Sequence, residues 1–129
     1  MMTVVLDASA LIALLKNEPG AEMVAQALSD TKITAVNYAE VISHFVHAGM
    51  PATEVDAMLC PLPLVIVPAD ENLARLAGHL RAQTASAGLS LGDRFCIALA
   101  KIDKLPAWTA DRQWQSIAAS VDVKITIIR

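Results

Sequence analysis

Two patterns of hydrophobic and polar positions alternate along the chain. Short apolar runs predict strands, and these lie at residues 3–6, 32–34, 64–67, 107–109 and 123–128. Between the runs the spacing becomes helical, since Tyr38, Val41, Ile42 and Phe45 fall at i, i+3, i+4 and i+7 and share one face. The same spacing and its boundary residues predict helices at residues 8–16, 36–47, 70–85, 90–103 and 112–118, with a short one starting at Pro51.

This alternation predicts the fold class. Parallel strands need a crossover connection, which a helix supplies, so strand–helix alternation favours parallel pairing. The predicted strands are apolar throughout, which is typical of a sheet covered on both faces. We therefore expect one domain over residues 1–129, a three-layer α/β/α domain with a central parallel sheet of four to five strands.

Composition excludes several classes of protein. With 55% hydrophobic and 18% charged residues the chain is not disordered, and its longest apolar run, residues 8–15, is too short to span a membrane. Asp7 within the first apolar stretch argues against a signal peptide, and two cysteines make no disulfide framework, so we expect a cytoplasmic protein. A formal charge of −3 argues against coating nucleic acid, which needs many basic contacts, but does not exclude a nuclease.

Four acidic residues lie where predicted strands end or the following helices begin. Asp7 follows the first strand, Glu40 lies early in the next helix, Asp93 opens the helix over residues 90–103, and Asp111 follows the fourth strand. Each has a local explanation, because acids cap and favour helix N-termini. In an open parallel sheet, however, ligands bind at the carboxyl ends of the strands, where all four would meet.

Crowding these acids has an electrostatic consequence. Two unit charges ~5 Å apart repel by about 3 kcal/mol at an effective dielectric of ~20, which exceeds the ~1 kcal/mol of a helix cap. Either some of the acids are protonated, or a divalent cation compensates them. An all-oxygen site without histidine or cysteine predicts Mg²⁺ or Mn²⁺.

Four segments of the chain resemble the motifs of PIN-domain ribonucleases, in the same order. They are Val5–Leu11, Asn37–Val41, Ser90–Ala98 and Thr109–Arg112. The length resembles that of the stand-alone VapC toxins of bacterial toxin–antitoxin pairs. The resemblance implies a metal-dependent endoribonuclease that acts on RNA, is neutralised by a VapB-like antitoxin and forms a homodimer.

The resemblance also implies roles for individual residues. Asp7 and Asp93 match the positions that bind the metal most directly, and Glu40 and Asp111 match those that complete its shell. Ser9 and Thr109 match small hydroxyl residues beside the metal, or are local turn and cap partners. The bound metal would lower the pKa of a water molecule, and Glu40 or Asp111 would orient that water or accept its proton.

Other interpretations remain for some residues and for the whole chain. Arg94 and Arg112 each follow one of the acids, where they either contact RNA phosphates or neutralise the acid. His44 and His47 share a helical face with Glu40, but the rise of about 1.5 Å per residue carries them away from the sheet edge. An alternative function is a catalytically silent PIN-like binding module that acts through its partner.

Two further classes that place acids at a sheet edge are less favoured. A phosphorylated signalling domain needs paired acids after an early strand and a lysine at a later strand end, whereas Asp7 stands alone and no lysine follows Thr109. Phosphatases with an aspartate nucleophile typically show a D-x-D pattern, and Ser9 occupies its second position here.

Overall fold

The computed structural model describes residues 3–129 and contains a five-stranded parallel sheet. The strands are β1 (Val4–Leu6), β2 (Thr31–Thr34), β3 (Val65–Val67), β4 (Ala107–Thr109) and β5 (Ile125–Ile127). Their order is β3-β2-β1-β4-β5, with Leu6 opposite Ile33 on one side and Trp108 on the other. All five predicted strands are confirmed, each differing by no more than three residues in total at its ends.

Helices connect the strands and cover the sheet. They are α1 (Ala8–Leu15), α2 (Ala21–Ala27), α3 (Ala35–His47), α4 (Ala52–Leu59), α5 (Glu71–His79), α6 (Arg81–Thr84), α7 (Leu91–Asp103) and α8 (Ala118–Val121), with 3₁₀ helices at Leu28–Asp30, Ala85–Ala87 and Arg112–Ile117. Helix α2 was not predicted, because it buries only Ala21 and Val24 and so shows no repeated stripe. The predicted helix over residues 112–118 is instead the 3₁₀ helix followed by α8.

The predicted helix over residues 70–85 is divided at Leu80, which ends α5 and begins α6. The Thr84 hydroxyl donates a hydrogen bond of 2.9 Å to the Leu80 carbonyl, a bond from a threonine to the preceding turn that bends helices. Leu80 itself is buried, so the hydrophobic stripe continues through the bend and its periodicity gave no sign of it.

Two hydrophobic clusters, one on each face of the sheet, confirm the three-layer arrangement. Val5 packs with α5, α7 and the C-terminal helical turns, where Trp114 is fully buried. Val4 and Leu6 point the other way and pack with residues from α1 to α4. Successive residues of β1 therefore contribute to opposite cores, which is the reason that this strand is apolar throughout.

The expectation that both faces of the sheet are covered is wrong at edge strand β3. Its Val65 is 56% exposed and Ile66 is 43% exposed, so this edge leaves apolar side chains in contact with solvent. An exposed apolar edge strand is a surface on which another chain can pack. Among residues 3–129, no helix is long and apolar enough to cross a membrane.

The strand order determines where a ligand can bind. The chain winds outward from β1 to β2 and β3, and then returns to place β4 on the other side of β1. A crevice therefore lies at the carboxyl ends of β1 and β4, where ligands of open α/β sheets bind. Helix α7 leads through Pro106 to the amino end of β4, so its own N-terminus lies at the carboxyl edge, on the side of this crevice.

Candidate metal centre

Asp7 lies at the carboxyl edge of the sheet, directly after β1. It is the N-cap of α1, and its Oδ1 accepts a hydrogen bond of 2.8 Å from the Ala10 N–H. The Ser9 hydroxyl donates to Oδ1 at 2.7 Å, and the Thr109 hydroxyl donates to Oδ2 at 2.6 Å. The local explanation, that Asp7 caps α1, is therefore correct. It is incomplete, because only 3% of Asp7 is exposed and a residue that only caps a helix does not need to be buried.

Burial changes the acidity of Asp7. Removal from water raises the pKa of its carboxyl from 3.8 to about 7, outweighing the hydrogen bonds from Thr109, Ala10 and Ser9, which favour the charged form. The negative charge of Asp93 raises the pKa further. In the absence of a cation, Asp7 is therefore protonated in a large fraction of molecules near neutral pH.

Glu40 is held in place by a residue that the sequence did not single out as functional. Asn37 is completely buried, and its Nδ2 donates to Glu40 Oε1 at 2.8 Å and to the Gly92 carbonyl at 2.9 Å. Its Oδ1 accepts from the Thr34 hydroxyl at 2.7 Å. Asn37 thus joins β2, α3 and α7 and fixes the Glu40 carboxylate against α7; its i, i+3 spacing from Glu40 was the available signal.

Gly92 leaves space for the Glu40 carboxylate where α3 and α7 meet. A Cβ at this position would lie 2.6 Å from the Glu40 carboxyl carbon, closer than any side chain tolerates. Glycine therefore allows the Glu40 carboxylate to lie directly on the first turn of α7, beside Asp93. Local sequence patterns do not indicate this role, because it depends on the approach of two helices that are distant in the chain.

Asp93 completes a group of three acids from separate elements. It lies in the first turn of α7, where its Oδ2 accepts from the Ser90 N–H at 2.9 Å in a capping box. Its charge raises the pKa of both Asp7 and Glu40, although burial is the larger cause at each. Asp7, Glu40 and Asp93, which we call the acid cluster, therefore share one electrostatic environment.

Asp111 lies at the rim of this environment. Its Oδ1 accepts from the Gln113 N–H at 3.0 Å, so it caps the 3₁₀ helix, and its side chain is exposed. Its backbone N–H donates to the Thr109 hydroxyl at 3.1 Å, and that hydroxyl also binds Asp7. Asp111 is connected to the acid cluster through Thr109, with its carboxylate turned toward its own helix.

The two hydroxyl residues join the strand ends. Ser9 Oγ accepts from the Ala110 N–H at 2.9 Å and lies 3.3 Å from Thr109 Oγ1. Both hydroxyls also donate to Asp7, so they are linked to the acid itself and are more than local turn partners.

The remaining candidates lie outside the acid cluster. His44 and His47 are exposed in the last turn of α3, in agreement with the surface interpretation. Arg112 is exposed, and its Nη2 donates to the Arg129 carbonyl at 3.2 Å. Among residues 3–129, none of the ion pairs joins a lysine or arginine to the acid cluster or to Asp111.

Cys96 lies close enough to the acid cluster for the charges of the three acids to act on its thiol. Cys96 is completely buried, and burial together with the charges of Asp7, Asp93 and Glu40 raises the pKa of its thiol well above its usual value. The thiol therefore stays protonated, which keeps it from acting as a metal ligand or nucleophile.

The carboxylate oxygens of the acid cluster are suitable ligands for a hard divalent cation, but they do not yet point toward one common position. Within the described residues, no group of three or more His, Cys, Asp or Glu side chains is placed to hold a metal ion. Each acid is instead engaged locally: Asp7 by hydroxyls, Glu40 by Asn37 and Asp93 by Ser90. Oxygen ligands and uncompensated negative charge favour Mg²⁺ or Mn²⁺, whose binding would require Asp93 or Glu40 to turn toward Asp7.

Comparison with known proteins places these features in a family. A sequence profile of the PIN domain matches residues 4–120. A Ribonuclease VapC of Mycolicibacterium smegmatis is 35% identical over 111 residues, which cover 79% of this chain and 86% of that protein.

Solved structures share the fold at lower identity. DNA-bound VapBC from Salmonella typhimurium is similar with a TM-score of 0.71, 19% identity and 100% coverage of both chains. The VapC20 toxin of Mycobacterium tuberculosis, described as cleaving the sarcin–ricin loop, has a TM-score of 0.71 at 11% identity, over 88% of this chain and 94% of that one.

Proposed function

Because the chain belongs to the PIN-domain family, in its VapC group, we propose that residues 1–129 form one domain that acts as a Mg²⁺- or Mn²⁺-dependent endoribonuclease toxin. The observation that carries this proposal is the acid cluster, in which the buried Asp7 and the half-buried Glu40 and Asp93 come from three elements and interact through their charges. None of the three forms an ion pair with a basic residue among residues 3–129. Capping does not require that arrangement, whereas cation binding does.

Each acid would have a distinct role in holding the cation. Asp7 and Asp93 would bind it directly, and Glu40 and Asp111 would complete its surroundings. When bound, the cation supplies a Lewis acid for the phosphate and lowers the pKa of a water molecule. Metal binding would favour the charged form of Asp7, so Asp7 would release the proton that its burial otherwise favours.

Glu40 is the acid best placed to act as a base. It is half-buried with a raised pKa, and Asn37 leaves only Oε2 of its carboxylate free of that hydrogen bond. A carboxylate with a pKa nearer neutrality accepts a proton from water more readily than an ordinary one. We assign to Glu40 the orientation of the attacking water and the acceptance of its proton.

The proposed partners are RNA, a VapB-like antitoxin and a second copy of the chain. Similarity to a VapBC complex supports the antitoxin, and the exposed apolar edge at Val65 and Ile66 offers a surface for another chain. The two free cysteines, Cys60 and Cys96, are compatible with a reducing cytoplasm.

Cleavage of total cellular RNA, with the ends mapped after brief incubation, tests the proposed activity. We expect discrete cuts in Mg²⁺ or Mn²⁺, loss of cutting in excess EDTA, and recovery when the cation is restored. Undiminished cutting in EDTA would exclude the metal mechanism. An absence of cutting in any RNA would favour the silent binding module.

Replacement of Asn37 by alanine tests the support of Glu40. We expect cleavage to fall roughly 10- to 100-fold, as for other residues that orient a metal ligand. Because the Asn37 hydrogen bond lowers the pKa of Glu40, its loss should move the acidic limb of the rate–pH profile to higher pH. Asn72→Ala, which alters an exposed asparagine in α5, is the control. A lower rate with an unshifted profile would mean that Asn37 only stabilises the fold.

A further inference from the structure

A pocket opens beside the N-terminus of α7, next to the acid cluster. Its volume is about 360 Å³, and its polar lining includes Arg81, Ser90 and Arg94. Its lining contains two arginines and no aspartate or glutamate side chain. The pocket is therefore cationic, although the chain as a whole carries a net charge of −3.

Arg94 in this pocket is a buried cation without a counter-charge. It is only 8% exposed, and the single hydrogen bond of its guanidinium group in the described structure runs from Nη1 to the Leu89 carbonyl at 3.0 Å. Its Nε is buried without a partner, and no carboxylate within residues 3–129 forms an ion pair with it. A buried charge is costly unless it is paired, so this guanidinium is arranged for an anion that the chain does not supply.

The position of the pocket identifies the kind of anion. Ser90, in the lining, donates its N–H to Asp93 at 2.9 Å, so the pocket adjoins the acid cluster. Arg81 adds a second, exposed guanidinium, and Leu91 adds an apolar side chain that is 54% exposed. Two guanidinium groups match a phosphate, to which arginine donates paired hydrogen bonds.

We propose that this pocket, which we call the arginine pocket, binds a backbone phosphodiester of the RNA strand next to the bond that is cleaved. The inference rests on the proposed function, because it assumes that RNA crosses the acid cluster. Such a site would allow a chain with more acidic than basic residues to bind RNA, because one local cationic pocket would take the place of an extended basic surface.

The test measures binding of a fluorescently labelled single-stranded RNA by anisotropy, in EDTA, over a range of NaCl concentrations. Arg81→Gln removes the exposed arginine, and Arg94→Lys keeps the buried charge but loses the planar donor pair. Lys104→Asn, which removes an exposed positive charge at the opposite end of α7, is the matched control. We expect both arginine variants to weaken binding roughly three- to tenfold, and Arg81→Gln to reduce the salt slope by about 0.7.

Three results would overturn the inference, and they are distinguishable. If wild-type protein cleaves RNA but the arginine variants bind it as Lys104→Asn does, the arginine pocket does not hold the strand. If inorganic phosphate raises the melting temperature through Arg81 while RNA binding is unchanged, the pocket holds free phosphate instead. If wild-type protein neither binds nor cleaves RNA, the proposed function fails together with the pocket.

Discussion

Replacement of Asp7 by asparagine should slow RNA cleavage at least about a thousandfold, because loss of a direct ligand removes several kcal/mol of metal-dependent stabilisation. The fold should survive, since asparagine also caps helices and can accept the Ala10 N–H. The measurement is the initial cleavage rate at saturating Mg²⁺, together with the circular dichroism spectrum of the variant.

Asp70→Asn provides a matched control for this variant. Asp70 caps α5 by accepting from the Leu73 N–H at 2.9 Å, as Asp7 caps α1, but it is exposed and lies outside the acid cluster. The control should cleave RNA at the wild-type rate. Equal activity of the Asp7 variant and the control would reduce Asp7 to a helix cap.

The metal-free protein should lose stability as the pH rises from 5 to 8. The pKa of Asp7 is about 7 in the folded protein and near 3.8 when exposed, so over this range the folded state binds more protons than the unfolded one. Stability then falls with increasing pH, by about 4 kcal/mol in all for a shift of about three pKa units, of which roughly 3 kcal/mol is lost between pH 5 and 8. Urea unfolding in EDTA at several pH values measures the effect.

Asp7→Asn should flatten this dependence, because the neutral amide does not titrate. The variant should also be more stable than wild type at pH 8 without metal, since a buried charge has been removed. Saturating Mg²⁺ should restore wild-type stability at that pH through preferential binding to the folded state. A wild-type curve as flat as that of the variant would show that Asp7 is not the titrating group.

The sequence predicted the sheet well because its strands are buried. Val4, Val5 and Leu6 all face one or other core, and such runs are easily recognised. The break at Leu80 escaped prediction because it depends on which acceptor the Thr84 hydroxyl chooses, while the apolar spacing continues unchanged. Helix α2 escaped because one turn of buried residues carries little periodic signal.

The proximity of three of the four acids was predictable from the sequence, whereas the residues that support them were less so. Strand ends placed Asp7, Glu40 and Asp93 at one edge. The pKa of Asp7 is raised mainly by its burial and only to a smaller extent by the charge of Asp93, so the predicted repulsion between acids is the lesser cause. The roles of Asn37 and Gly92 depend on the packing of α3 against α7, which local patterns do not encode. Arg94 followed an acid in sequence, but only its burial distinguishes it from the exposed Arg112.

Diffraction from crystals grown with Mn²⁺, recorded at a wavelength where manganese scatters anomalously, tests most directly whether the acid cluster binds a cation. We predict an anomalous peak about 2.1 Å from carboxylate oxygens of Asp7 and Asp93, with Glu40 facing it directly or through water. Loss of the Asp93 bond to the Ser90 N–H would accompany binding. A fully occupied manganese elsewhere, with Asp7, Glu40 and Asp93 still held by their present partners, would contradict this assignment.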